Sequence, residues 1–253
     1  MNKSFHYKCN FSYDHYFEVL DYAKKEEYHI GPIKDYMRLK KENKIILLRH
    51  DVDFSLYEAL TLAKLENKKK IISTYYFLLQ STTYNALDSK TSSLIKQIAE
   101  YGHEIGLHYD TRLAKNKQEL LKQIDMMSGL LEMIAGKKIF SIAQHNTTIS
   151  PAMDTTSSKK FLDARNPSIL KSLSYISDSV QNWRSGCMCN HIGIVDKLQI
   201  LTHPIWWNKK PALRTDILKV LETDKKSDLK KMYYETYLQH DNYIKNLKEG
   251  KIT

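Results

Sequence analysis

Two carboxylates, Asp51 and Asp53, close the run Ile45-Ile46-Leu47-Leu48-Arg49-His50-Asp51-Val52-Asp53. Side chains alternate along an extended strand, so Arg49, Asp51 and Asp53 share one side and His50 points to the other. Four apolar residues ahead of them predict a buried strand. Acids at the end of such a strand cost desolvation energy unless a compensating charge meets them. A metal ion, an arginine or a catalytic proton would each serve, and the plainest alternative is an Arg49–Asp51 salt bridge that simply ends the strand.

A second run, Gly102-His103-Glu104-Ile105-Gly106-Leu107-His108-Tyr109-Asp110, follows the same logic. At strand parity Glu104, Gly106, His108 and Asp110 share a face, with His103 on the other. His108 and Asp110 can therefore converge on the point reached by Asp51 and Asp53. One imidazole with several carboxylates suits zinc, and also cobalt, nickel, iron or manganese. His203, in Leu198-Gln199-Ile200-Leu201-Thr202-His203-Pro204, ends another apolar run and suits a ligand or a proton donor.

These residues need elements to position them. Apolar spacing predicts helices over 14–25, 33–41, 56–67 (Ser55 as N-cap), 91–101 (stopped by Gly102) and from an Asn116 cap to Ala135, where Gly136 ends it. Pro211 opens a last helical stretch to about 248, with a break expected near 224–227. Strands are predicted at 45–51, 71–79, 104–109, 139–143, 173–176 and 198–202. Helices and strands alternating in this way mean βαβ units and a mostly parallel sheet. Polar clusters follow the strands: Asp51 and Asp53, His108 and Asp110, Gln144 and His145, Asp178, His203. Sites in parallel α/β folds form at these strand ends, and the recurrence predicts an enzyme.

Composition sets the bounds. The length of 253 residues allows a sizeable core, and no apolar run is long enough to span a bilayer. The first eight residues hold no apolar signal-peptide core, so a cytoplasmic protein is expected. The net charge of +10 comes from lysines scattered along the chain rather than from one basic stripe, which argues against a nucleic-acid partner. Three cysteines, Cys9, Cys187 and Cys189, argue against a disulfide scaffold. Cys187-Met188-Cys189 with His191 could touch a metal, but the thiols are read as structural or incidental. His15 is expected at the surface.

On these residues the chain resembles the polysaccharide deacetylase family of carbohydrate esterases. Residues 49–53 stand where that family carries T-F-D-D-G, and 102–108 match the first half of G-H-E-I-G-N-H-T-x-x-H. Leu201-Thr202-His203 meets its L-x-H motif, and Asp178 with Trp183 loosely meets a motif of an Asp and a Trp. The R-H-D-V-D and L-T-H-P forms are similar to a divergent branch among surface-polysaccharide biosynthesis proteins (O-antigen and capsule). The resemblance implies a distorted (β/α) barrel of mostly parallel strands over 45–253 with a C-terminal helix, and residues 1–44 as a helical extension packed on it. It implies a metal-dependent hydrolase of carbon–nitrogen bonds other than peptide bonds, removing an acetyl group from an N-acetylated sugar or sugar-linked precursor. A divalent transition metal, zinc first, would be held by Asp53, His108 and Asp110. Arg112 stands where the family's second metal histidine would fall, so Asp110 or His145 must supply the third ligand. Asp51 would be the base, His203 the acid, and Arg49 would substitute for the family's arginine beside the base. His145, Asp178 and Trp206 would contact substrate.

Overall fold

The computed structural model describes residues 9–146, 155 and 160–251. In chain order the elements are α1 (Tyr13–Lys25), β1 (His29–Gly31), α2 (Tyr36–Leu39), β2 (Ile45–Val52), α3 (Leu56–Lys68), β3 (Thr74–Leu78), α4 (Ser89–Glu100), β4 (Glu104–Tyr109), α5 (Lys117–Ala135), β5 (Ser141–Gln144), β6 (Leu162–Asp163), α6 (Pro167–Ser172), β7 (Ser174–Ser177), β8 (Lys197–Thr202) and α7 (Arg214–Lys248). The strand order is β6-β5-β4-β3-β2-β8-β7, with β1 beside the first half of β2, and every ladder among the described residues is parallel.

Strand parity sorts the core into two layers. Val52, Tyr75, Phe77, Ile105, Leu107 and Ile142 face outward, against the apolar sides of α3, α4 and α5. Ile45, Leu47, Tyr76 and Ala143 face inward, against Ile33, Tyr36, Leu39, Ala164 and Ile169. The sheet curls enough for Gln199 on β8 to donate to the carbonyl of Ala164, just past β6, at 3.0 Å, although four strands separate β8 from β6. No ladder joins β6 to β7 among the described residues, so the result is an open, distorted (β/α) barrel. Gly106 makes the interior possible. A Cβ there would lie 2.3 Å from the ring of Tyr76, which crosses the interior to Ser141 Oγ at 2.7 Å. The face of that ring lies 5.0 Å from the Arg49 guanidinium.

Local chemistry accounts for most helix ends. Asn116 accepts from Glu119 N at 2.9 Å, and Gly136 takes the left-handed conformation that ends α5. Ser55 holds the N-cap position of α3 as expected, but its hydroxyl donates to Glu58 rather than capping the backbone. Asp88, three residues ahead of the expected start, caps α4. The helix expected over 33–41 is a 3₁₀ turn (Ile33–Asp35) followed by the single turn α2. β1 and β6 were not expected from sequence; at three and two residues they are too short to show a period.

The chain divides into two compact units at Pro211/Ala212, and residues 29–31 of the expected extension form a strand of the sheet. The second unit is α7, unbroken over its 35 residues and without the break expected near 224–227. Its exposed apolar residues include Leu229, Met232, Tyr233, Tyr237 and Leu247. No helix among the described residues is long and apolar enough to cross a membrane.

Candidate metal centre

Inward parity and the strand ends bring Arg49, Asp51 and Asp53 (β2), His108 (β4), His145 (after β5) and His203 (after β8) to one place. Asp53 Oδ1, His108 Nε2 and His145 Nδ1 form a triangle with edges of 3.4, 3.4 and 3.2 Å. Ligands about 2.1 Å from a tetrahedral ion stand about 3.4 Å apart, so the triangle has the size of one face of such a site. Asp53 Oδ1 is buried and makes no hydrogen bond, an expensive condition that a cation would relieve. His108 Nδ1 lies 2.8 Å from the carbonyl of Ala143; donating there leaves the Nε2 lone pair facing Asp53. His145 is held by its backbone, donating N–H to Tyr109 O at 2.7 Å. Two imidazoles and a carboxylate fit a divalent transition ion, zinc among them.

Burial alone would raise the Asp53 carboxyl, but the adjacent His108 and His145 rings overcome it and hold the group well below the usual carboxylate range. Asp51 is also ionised. Burial opposes this, and Arg49 outweighs burial through contacts of 2.6 Å to Oδ2 and 2.8 and 3.1 Å to Oδ1. Asp51 Oδ2 lies 3.5 Å from His108 Nε2, at the rim of the triangle. His203 donates its backbone N–H to Asp178 at 3.0 and 3.1 Å, and its Nδ1 lies 2.6 Å from Asp178 Oδ1. Its Nε2 is 3.7 Å from Asp53 Oδ2. Burial would lower the His203 pKa, yet Asp178, Asp53 and Asp51 raise it to about 9, so the ring is a cation at neutral pH.

Three expected roles change. Asp110, expected as third ligand, lies outside the triangle. Past the end of β4 its carboxylate caps the 3₁₀ turn Thr111–Leu113 and takes the Arg112 guanidinium at 2.5 and 3.0 Å, and His145 fills the vacant corner. Asp178, expected to touch substrate, is fully buried and spends its oxygens on His203 and on Trp207 Nε1 at 2.9 Å, so it positions His203. Trp206 is only 3% exposed and packs near Phe54, so it offers no open platform to a sugar.

Sequence parity put His50 and His103 behind the sheet, and both lie there, around a residue that sequence reasoning missed. Glu66 of α3 is fully buried and accepts from Tyr16 Oη (2.5 Å), Ser73 Oγ (2.7 Å) and Tyr75 Oη (2.8 Å), with His50 Nε2 at 3.0 Å. His50 Nδ1 pairs with Thr202 Oγ1 at 2.7 Å, and His103 lies between Ser73 and the carbonyl of Ala63.

No family model and no curated protein matches the chain. Solved structures do match in arrangement. The peptidoglycan deacetylase PdaC from Bacillus subtilis aligns with TM-score 0.47 and 16% identity over 79% of this chain and 98% of its own. A family 4 acetyl xylan esterase from Clostridium thermocellum, solved with a cobalt ion, aligns with TM-score 0.43 and 17% identity over 73% and 85%. A CE4 family pseudoenzyme from Bacillus anthracis aligns with TM-score 0.45 and 13% identity over 74% of this chain; the match spans 62% of that protein, under two thirds of its length. With identities this low and every one of these scores below 0.5, the chemistry of the site rests on its own geometry.

Proposed function

We propose that this protein is a metal-dependent hydrolase that removes the acetyl group from an N-acetylated sugar. The observation that carries the reading is the largely buried Asp53–His108–His145 triangle, with an ionised carboxylate (Asp51) and a cationic imidazole (His203) at its rim. An ion held by the triangle would supply Lewis acidity, lowering the pKa of a water and polarising an acyl carbonyl. Asp51 accepts the proton of the attacking water, and Arg49 keeps that carboxylate ionised and fixed in place. Ion pairing weakens Asp51 as a base, so its contribution depends on the water being acidified first. His203, protonated and held at Nδ1 by Asp178, offers Nε2–H to the leaving amine nitrogen. Acetate and an amino sugar leave.

The substrate class we assign is an N-acetylated sugar, free or carried on a nucleotide or lipid, used in building a surface glycan. The R-H-D-V-D run at 49–53 and the L-T-H-P run at 201–204 favour it. Zinc is the first choice of ion because two imidazoles and one carboxylate leave a tetrahedral position open.

Acetate release tests the reading. Chelated protein, zinc-reconstituted protein and the Asp53→Ala variant are compared on a panel of N-acetylated sugars and their nucleotide-linked forms. Release by the reconstituted wild type alone is expected. Folded, ion-loaded wild type that frees no acetate from any of them overturns the proposal.

A further inference from the structure

A second group of soft ligands lies apart from the strand ends. Cys9 Sγ, His15 Nε2, Cys187 Sγ and Cys189 Sγ all fall within 4.8 Å of one another. Cys9 Sγ is 3.2 Å from Cys189 Sγ, and His15 Nε2 is 3.2 Å from Cys187 Sγ. The chain has three cysteines in 253 residues, and all three meet at this point from positions 180 residues apart. None is in a disulfide. A sulfur–sulfur bond is about 2.05 Å long, so the 3.2 Å pair is in contact and not bonded. A Cys9–Cys189 disulfide would also leave Cys187 and His15 without purpose. His15 was expected at the surface and is instead 2% exposed, and its Nδ1 is buried without a hydrogen bond. His191, the histidine nearest to the C-x-C pair in sequence, turns away to the carbonyl of Ser185 at 2.9 Å.

Three of the four ligands, His15, Cys187 and Cys189, are carried by defined turns of backbone. Ser12 caps α1 by accepting from His15 N at 3.1 Å, which fixes the turn bearing His15. Cys187 and Cys189 flank Met188 at the start of a 3₁₀ turn (Met188–Asn190), and Met188 is fully buried. The sulfur hydrogen bonds that join the group are weak rewards for packing three thiols and an imidazole together, because thiols are weak donors and weak acceptors. A thiophilic cation does reward it, and three sulfurs with one nitrogen complete a tetrahedral shell with no open position.

We propose that Cys9 Sγ, His15 Nε2, Cys187 Sγ and Cys189 Sγ bind a structural zinc ion, distinct from the ion of the Asp53 triangle. On binding, the three thiols give up their protons and His15 coordinates as the neutral ring. The ion ties the segment before α1 to residues 187–189. The same segment stacks Phe11 on Trp183 (6.2 Å) and packs it on Trp207 (5.3 Å), the indole that donates to Asp178. The closed site would therefore steady the support of His203 without joining the reaction.

The test uses the full chain and does not depend on catalysis. Asp53→Ala protein is purified with zinc, and an organomercurial is titrated in while a chromogenic chelator reports free zinc. Release of about one zinc per chain, in step with loss of thiols, is expected. The same protein loaded with cobalt should show thiolate-to-cobalt charge-transfer absorption that Cys187→Ser, made in the Asp53→Ala background, loses. Reaction of all three thiols with no zinc released, or folded, cobalt-exposed Asp53→Ala protein with no such absorption, overturns the proposal. So does a single titratable thiol in the untreated protein, which would mean that two of the three had joined as a disulfide. The acetate assay above reads the other ion and can succeed or fail separately.

Discussion

Glu66 and Asp53 are both largely buried carboxylates flanked by imidazoles, on opposite faces of one sheet. Glu66 accepts from two tyrosines and a serine, with His50 beside it, so its charge is met wholly by the protein. Asp53 has two ring nitrogens 3.4 Å from an oxygen that makes no hydrogen bond. A satisfied buried charge holds a fold together, while an unsatisfied one is tolerated where something else is to bind. The outer carboxylate thus reads as structure and the inner one as a site, a contrast that mutation can break.

The largest effects should be opposite in kind. Asp53→Ala should fall from two equivalents of metal per chain to one by elemental analysis and drop turnover to background, while the unfolding free energy of the chelated protein in urea changes by less than about 1 kcal/mol. Glu66→Ala orphans four donors and should cost about 3–5 kcal/mol, with metal content unchanged in whatever protein folds. If Glu66→Ala is neutral in urea and Asp53→Ala is not, the contrast is wrong.

Asp51 mixes both characters and sharpens the comparison. Asp51→Asn leaves the Arg49 guanidinium buried without its counter-charge, so it should lose about 3 kcal/mol of stability as well as about a hundredfold or more in turnover. Replacing Arg49 by Met in the same protein should restore much of the stability in urea and none of the turnover.

Acid separates Glu66 next. Its pKa is held down to about 2; burial opposes this, and His50, His103 and Tyr16 outweigh burial. A depressed carboxyl contributes stability above its unfolded pKa and loses it as pH falls through the folded one. The gap in unfolding free energy between wild type and Glu66→Gln, on the order of 3 kcal/mol, should hold above pH about 5 and close as pH falls toward about 2. A gap that widens in acid would mean that Glu66 is protonated in the fold. The smallest effect is Tyr75→Phe, which removes one donor of four and should cost about 1 kcal/mol in urea with metal binding untouched.

The alternation of strands and helices was legible because β2, β3, β4 and β8 carry apolar runs, and because Asn116 and Gly136 mark the ends of α5 in their own chemistry. The convergence of Asp51, Asp53 and His108 followed from parity alone. The choice between Asp110 and His145 did not, because the 3₁₀ turn Thr111–Leu113 and Arg112 offered Asp110 nearer partners. Glu66 left a signal that went unread: it continues the buried stripe Ala59, Leu62, Ala63 of α3, where a lone acid needs donors. The cysteine cluster left only half a signal, the Cys187-Met188-Cys189 pair, since nothing local in Cys9 points across 180 residues to Cys189.

The position of β2 has a consequence in time. Ile45 pairs with Lys197 in the next strand of the sheet, and Ser12 bridges to Asn208. At about 5–20 residues added per second, a ribosome takes on the order of ten to thirty seconds to make β8 after β2. For that interval the central strand of the barrel is an open edge with Ile45, Ile46, Leu47 and Leu48 on offer to any neighbour. The nascent chain passes through its most aggregation-prone form before it can close, so its yield in a cell should depend on chaperone supply and translation speed more than its final stability suggests.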